Sequence, residues 1–206
     1  MDEQQRDHIL HIRTSKIQQG FHESLHHNRY EPTPYALLDV LFDHYQLTKS
    51  DQLVDFGCGK GRLNFYINER FGSKTIGIEM DEGFHLQALE NLKTYEKFQK
   101  AEGEIHFLHH FAEEYEVQAA DNKFYFFNPF SVQIFISVVN NILESYEKKE
   151  REIDLILFFP SHAYIDFLEH HTLFELADEL QLPNAAKDFR ERFLVYRLKP
   201  FSFEIL

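Results

Sequence analysis

The chain has 206 residues, 43% hydrophobic and 27% charged, a globular composition that argues against disorder and gives one domain a sizeable core rather than dividing into two. Twenty-one basic against thirty-four acidic side chains leave a formal charge of −13, which repels a nucleic-acid backbone over most of the surface. The single cysteine, Cys58, rules out an intrachain disulfide and fits a reducing compartment; with no secretory leader pattern at Met1–His8 and no apolar run of membrane-spanning length, the expected location is cytoplasmic, with no membrane partner.

The first fifty residues read as a helical arm or cap. Ile9, Leu10, Ile12 and Ile17 form a weak apolar stripe, and two prolines, Pro32 and Pro34, then interrupt the pattern. A stronger helix follows, with Thr33 as its cap, Pro34 in its first turn, and Leu37, Leu38, Leu41 and Tyr45 on one face.

From residue 51 short apolar runs alternate with amphipathic stretches, the rhythm of a parallel sheet covered by helices on both faces. Strands are predicted over Gln52–Phe56, Thr75–Glu79, Glu104–Leu108, Lys123–Phe127 and Ile153–Phe159. Helices are predicted from Gly61 to Phe71, from Glu82 to Lys100, and from Ser131, where Val132, Phe135, Ile136, Val139, Ile142 and Leu143 share a face. Phe111–Val117 is too short to assign. After Phe159 a short helix capped by Ser161 precedes two β-like stretches, Leu173–Leu180 and Phe193–Leu198. Lacking a helix between them, these two can pair antiparallel, so the sheet is expected to be mixed at that end. No internal repeat is present.

The stretch V-D-F-G-C-G-K-G-R lies between the first strand and the first core helix, where glycines let a backbone approach a ligand and helix N–H groups face negative charge. A dinucleotide fingerprint would carry glycine where Arg62 stands, and the phosphate-loop pattern is absent, so neither diphosphate reading fits. Asp55-Phe56-Gly57-Cys58-Gly59-Lys60-Gly61 instead has the form D-x-G-x-G-x-G. In this it resembles the first motif of the class I S-adenosylmethionine-dependent methyltransferases, and the resemblance runs from residue 51 to about residue 160.

The resemblance implies a Rossmann-like, doubly wound α/β sheet, mostly parallel with an antiparallel strand near the C-terminus, helices on both faces and the N-terminal helical arm, in one domain over residues 1–206. It implies S-adenosylmethionine as cofactor, contacted by Asp55, Gly57, Cys58, Gly59, Gly61, Glu79 and Met80. Glu79 falls eighteen residues after Gly61, close to the roughly twenty at which an acid reads ribose hydroxyls in such folds. Asp81 is the substitute for that role, or else a helix cap. Where many relatives have an acid for the adenine amino group this chain has F-L-H-H-F, so His110 or Phe111 occupies that place. The run F-N-P-F, Phe127 to Phe130, is similar to the family's fourth motif. It makes Asn128, Pro129 and Phe130 the residues expected at the transferred methyl, with Asn128 also near the cofactor, although the aromatic comes one position early.

Other features carry less. Adjacent histidines such as His109 and His110 point to different sides of an element, so the thirteen histidines give no metal site. Cys58 reads as a small turn residue, Lys60 and Arg62 as solvated charges on a first helical turn, and Tyr146–Glu152 as a solvated helix end. Tyr30 and Tyr35 are candidate lid residues against substrate. The expected activity is methyl transfer to a small molecule or protein side chain, with nucleic acid third. A noncatalytic nucleoside-binding module and a nicotinamide-dependent oxidoreductase are the alternatives.

Overall fold

The computed structural model describes residues 2–15, 31–99, 103–183 and 185–200. Seven strands, β1 (Gln52–Phe56), β2 (Lys74–Glu79), β3 (Ile105–His109), β4 (Lys123–Phe126), β5 (Ile153–Phe158), β6 (Glu175–Gln181) and β7 (Arg192–Leu198), form one sheet in the order β3-β2-β1-β4-β5-β7-β6. β1 to β5 are parallel, and β7 runs antiparallel to both its neighbours. The helices are α1 (Glu3–Ile9), α2 (Tyr35–His44), α3 (Arg62–Phe71), α4 (Glu82–Phe98), α5 (Val132–Lys148) and α6 (His162–His171).

Alternation along the strands builds two cores. Leu53, Ile156 and Phe158 turn to the face covered by α2, α3 and α4, whereas Val54, Phe56, Leu155 and Leu157 turn to the face covered by α5 and α6. Every residue of β1 is buried, as a strand covered on both faces requires. The chain winds outward through α3, β2, α4 and β3, then returns across β1 to build β4, β5 and the rest on the other side. The switch point therefore lies between the carboxyl ends of β1 and β4, where open sheets of this type form their ligand crevice.

The antiparallel strand was expected, its place in the order was not. β7 inserts between β5 and β6, because its Phe193 to Tyr196 run is buried while β6, with Glu175, Asp178 and Glu179, is mostly exposed and takes the edge. Two strands end a residue early: Asn128 (φ 40°) and Phe159 (φ 53°) are left-handed and lead the chain out of the sheet after β4 and β5. The unassigned segment near Phe111 contains a single 3₁₀ turn, Ala112–Glu114.

Caps follow local chemistry in two cases and not in two others. Asp81 accepts from Phe84 N–H at 2.8 Å and Ser161 from Tyr164 N–H at 3.3 Å, so both cap their helices. Thr33 does not cap α2; Pro34 takes that position, and the Thr33 hydroxyl is bonded to the Tyr125 hydroxyl at 2.8 Å instead. Ser131 precedes α5 without a capping bond from its side chain. In the arm, Leu10 and Ile12 are buried but Ile9 is exposed, and Ile17 lies outside the described residues. The helix end after α5 is not wholly solvated: Tyr146 is buried with its hydroxyl on Lys199 C=O at 2.8 Å, and Arg151 donates to Asp121 C=O at 2.7 Å. No helix of the described residues is long and apolar enough to cross a membrane.

Candidate functional site

The glycine loop turns sharply because three of its residues are left-handed: Gly57 (φ 79°), Gly59 (φ 55°) and Gly61 (φ 83°). Space enforces glycine too, since a Cβ on Gly61 would stand 2.4 Å from Phe107 Cζ and one on Gly57 would stand 2.9 Å from Pro129 Cβ. The second contact places the loop after β1 directly against the N-P-F turn after β4, at the switch point. Two segments seventy residues apart in sequence thereby share one crevice.

The loop satisfies much of its own backbone. Gly57 and Cys58 N–H donate to Ile78 C=O at 2.9 and 3.1 Å, and Gly61 N–H donates to Cys58 C=O at 2.9 Å. Gly59 N–H donates to Glu79 Oε2 at 2.8 Å, while Glu79 Oε1 accepts from Asp81 N–H at 2.8 Å. The Met80 N–H also bonds this carboxylate, which leaves part of its lone-pair capacity for a ligand. Among the described residues no side chain caps α3, so its first-turn N–H groups face out of the helix beside the loop.

Asp55 is the unusual member. It is 5% exposed, and among the described residues no hydrogen-bond donor reaches its carboxyl. Burial, reinforced by the nearby Glu79, pushes its pKa up to about 8. Glu79 is 8% exposed, and burial raises it as well, against the opposing bonds from Asp81 and Gly59. Two buried acids at the tips of adjacent strands, one of them without a hydrogen-bond donor among the described residues, form a site that favours a cation with neighbouring hydrogen-bond donors.

The remaining predicted residues divide. Met80, His110 and Phe111 stay at the surface beyond β2 and β3, with His110 N–H on Glu79 C=O at 3.1 Å, so a flat apolar group could lie there. Cys58 is buried, its Sγ close to the position of a Gly77 Cβ, and burial raises its thiol well above the ordinary value, so it is packing rather than a nucleophile. Asn128 and Pro129 are half-buried at the crevice.

Three expectations fail. Phe130, expected to wall the acceptor pocket, is 4% exposed and packs edge-on against Phe126 in the core, with its carbonyl accepting from Tyr164 O–H. The aromatic that arrives one position early points inward. Tyr35 is 3% exposed, its hydroxyl donating to Asp7 at 2.8 Å, so it is no lid; Tyr30 lies outside the described residues. Lys60 and Arg62 are buried rather than solvated: Asn91 on α4 donates to Lys60 C=O at 3.1 Å, and the arm covers Arg62, which pairs with Glu3, donates to Thr14 Oγ1 at 2.7 Å and lies over the Tyr35 ring. Residues 2–15 are thus part of the site's surroundings, which apolar periodicity in the arm could not disclose. Among the described residues no cluster of His, Cys, Asp or Glu could hold a metal ion.

No family model and no curated protein matches the sequence. Solved structures do match the fold. An RNA methyltransferase from Salinibacter ruber, crystallised with S-adenosyl-L-homocysteine, is 16% identical over 85% of this chain and 99% of its own, with a TM-score of 0.53. An S-adenosylmethionine-dependent methyltransferase from Methanosarcina mazei is 13% identical over 78% of this chain and 98% of its own, with a TM-score of 0.59. A tRNA (uracil-54, C5)-methyltransferase from Pyrococcus abyssi, also with S-adenosyl-L-homocysteine, is 13% identical over 83% of this chain and 40% of its own, with a TM-score of 0.56. The chain has the Rossmann-like fold of the class I S-adenosylmethionine-dependent methyltransferases.

Proposed function

We propose that this protein is a methyltransferase that uses S-adenosylmethionine to methylate a small molecule or a protein side chain. The observation that carries the reading is the pairing of Asp55 and Glu79 at adjacent strand tips around a left-handed glycine loop, with Pro129 packed on Gly57. The residues fit that cofactor. Asp55, buried and without a donor among the described residues, would hold the ammonium group; Glu79 would accept from the ribose hydroxyls; the start of α3 would face the carboxylate. Met80 and Phe111 would border the adenine, and no acidic side chain stands at that position.

When bound, the cofactor supplies a methyl group on a sulfonium, and the protein's task is alignment of the acceptor lone pair with exclusion of water. Asn128 would take that role; the reading is supported by its left-handed turn at the end of β4, which directs the segment toward Gly57 rather than onward in the sheet. The Pro129 carbonyl is a second acceptor for an N–H on the substrate. Phe130 holds the turn from inside the core through Phe126 and Tyr164. The acidic surface, with a formal charge of −13, favours an acceptor other than nucleic acid.

Isothermal titration of the protein with S-adenosylmethionine, and separately with NAD, tests the cofactor. Binding of the first alone is expected; binding of NAD alone would replace the reading with an oxidoreductase. Release of S-adenosylhomocysteine in a cell extract then separates an enzyme from a noncatalytic binder.

A further inference from the structure

One buried side chain joins the glycine loop to the N-terminal arm. Asn91, on α4 and 5% exposed, accepts the Arg13 N–H on Oδ1 at 2.9 Å. Its Nδ2 donates to Lys60 C=O at 3.1 Å and to Arg13 C=O at 3.4 Å. Lys60 belongs to the loop between Gly59 and Gly61, whereas Arg13 belongs to the extended stretch after α1. The same stretch is gripped on its other side. Arg62 Nε donates to Thr14 Oγ1 at 2.7 Å, and Asp7 accepts from Thr14 N–H, Thr14 O–H, Ser15 N–H and Ser15 O–H at 2.6, 2.7, 2.9 and 2.6 Å. Glu3 closes the circuit by pairing with Arg62 and accepting Tyr35 N–H at 3.0 Å.

Leu10 and Ile12 already bury the apolar side of this segment, so anchoring alone does not require a polar network. Buried polar groups fix one geometry only when each is satisfied, and here Asn91 is satisfied by both partners at once. A displacement of the Lys60 carbonyl breaks the bond to Asn91, and a displacement of Arg13 frees the side chain that holds that carbonyl. Resting on the methyltransferase reading, we infer that Asn91 is a positioning residue: it couples the conformation of the cofactor loop to the docking of residues 10–15, so that S-adenosylmethionine binding tightens the arm and a loosened arm weakens the cofactor. Coupling between two sites is reciprocal, so each half of the effect predicts the other.

Asn91→Asp discriminates, because it keeps an acceptor for Arg13 N–H but removes the donor to Lys60 C=O, together with the longer bond to Arg13 C=O. The measurements are S-adenosylmethionine affinity by calorimetry, amide exchange of residues 12–15 with and without that cofactor, and the unfolding midpoint without it. In the wild type, exchange at residues 12–15 should slow when cofactor is added. In Asn91→Asp the affinity should fall about ten-fold, and the slowing should shrink by the same factor. Glu3→Ala, a change at a partly exposed side chain, loosens the arm from its other end and should weaken the cofactor in the same direction; it keeps the test decisive if Asn91→Asp does not fold. A purely structural Asn91 would lower the midpoint and leave the affinity of the folded protein unchanged. Unchanged affinity in both variants, or wild-type exchange indifferent to cofactor, overturns the coupling while the proposed function stands. A wild type that does not bind S-adenosylmethionine overturns both.

Discussion

Glu79 accepts the Gly59 N–H at 2.8 Å, tying the tip of β2 to the loop that leaves β1. Because the other carboxylate oxygen holds Asp81 N–H at 2.8 Å, one side chain fixes both the loop and the start of α4. Glu79→Gln retains one acceptor oxygen and brings an NH₂ to face a backbone N–H. The expected result is S-adenosylmethionine affinity reduced by about one to two orders of magnitude, the scale of a lost charge-assisted bond plus an unpaired donor. Calorimetry reads it.

Asp55 should make cofactor binding proton-linked. With its pKa at about 8 in the free protein, it is largely protonated at pH 7 and must ionise to hold an ammonium group. Titrations at pH 7 in buffers of different ionisation enthalpy should show about one proton released per cofactor bound, and Asp55→Asn should abolish most of that release together with tight binding.

The same residue lowers stability. Its folded pKa lies above the unfolded value of 3.8, so the folded state binds the extra proton between the two, and stability declines as pH rises from about 4 to about 8. Asp55→Asn, neutral and nearly isosteric, is expected to melt above the wild type at pH 8, with the gap closing toward pH 4. Thermal unfolding across that range is the measurement.

Asp154 gives the opposite slope. It is fully buried; burial would raise its pKa, but Arg197, Lys123 and Tyr45 all donate to it and hold it below the usual value. Its stabilisation is therefore present above about pH 4 and is lost as pH falls through the depressed folded pKa. Asp154→Ala, which among the described residues leaves buried Lys123 with only the longer pair to Glu152 at 3.6 Å, should cost about 3 kcal/mol in urea unfolding at neutral pH.

Gly61→Ala should be severe for two independent reasons, a left-handed backbone and a Cβ 2.4 Å from the Phe107 ring. The expected loss is about 2 kcal/mol or more. Phe107→Leu in the same chain should restore part of it by removing the clashing ring atoms, leaving the backbone cost; denaturant midpoints of the single and double variants distinguish these contributions.

Much of the sheet was legible because strands buried on both faces must be short and largely apolar, as β1, β4 and β5 are, while the edge strand β3 keeps only Ile105 and Phe107 buried. The glycine loop was legible because left-handed turns admit few other residues, and Glu79 because a fixed strand and helix length sets its spacing. What spacing could not supply was direction. Phe130 lies one position from where an aromatic would face the crevice, and that single step turns it into the core against Phe126. Tyr35, Lys60 and Arg62 read as surface groups since nothing near them in sequence names their partners Asp7, Asn91 and Glu3.

The sequence by itself determined the alternating strand and helix order, the glycine turn and the two acids, since each follows from local backbone sterics and periodic burial. Tertiary structure alone decided that β7 lies between β5 and β6, that Pro129 closes on Gly57, and that the arm covers the first turn of α3. Those depend on which distant surfaces bury each other. Burial between distant segments also raises the Asp55 carboxyl, which no donor among the described residues reaches, to about 8.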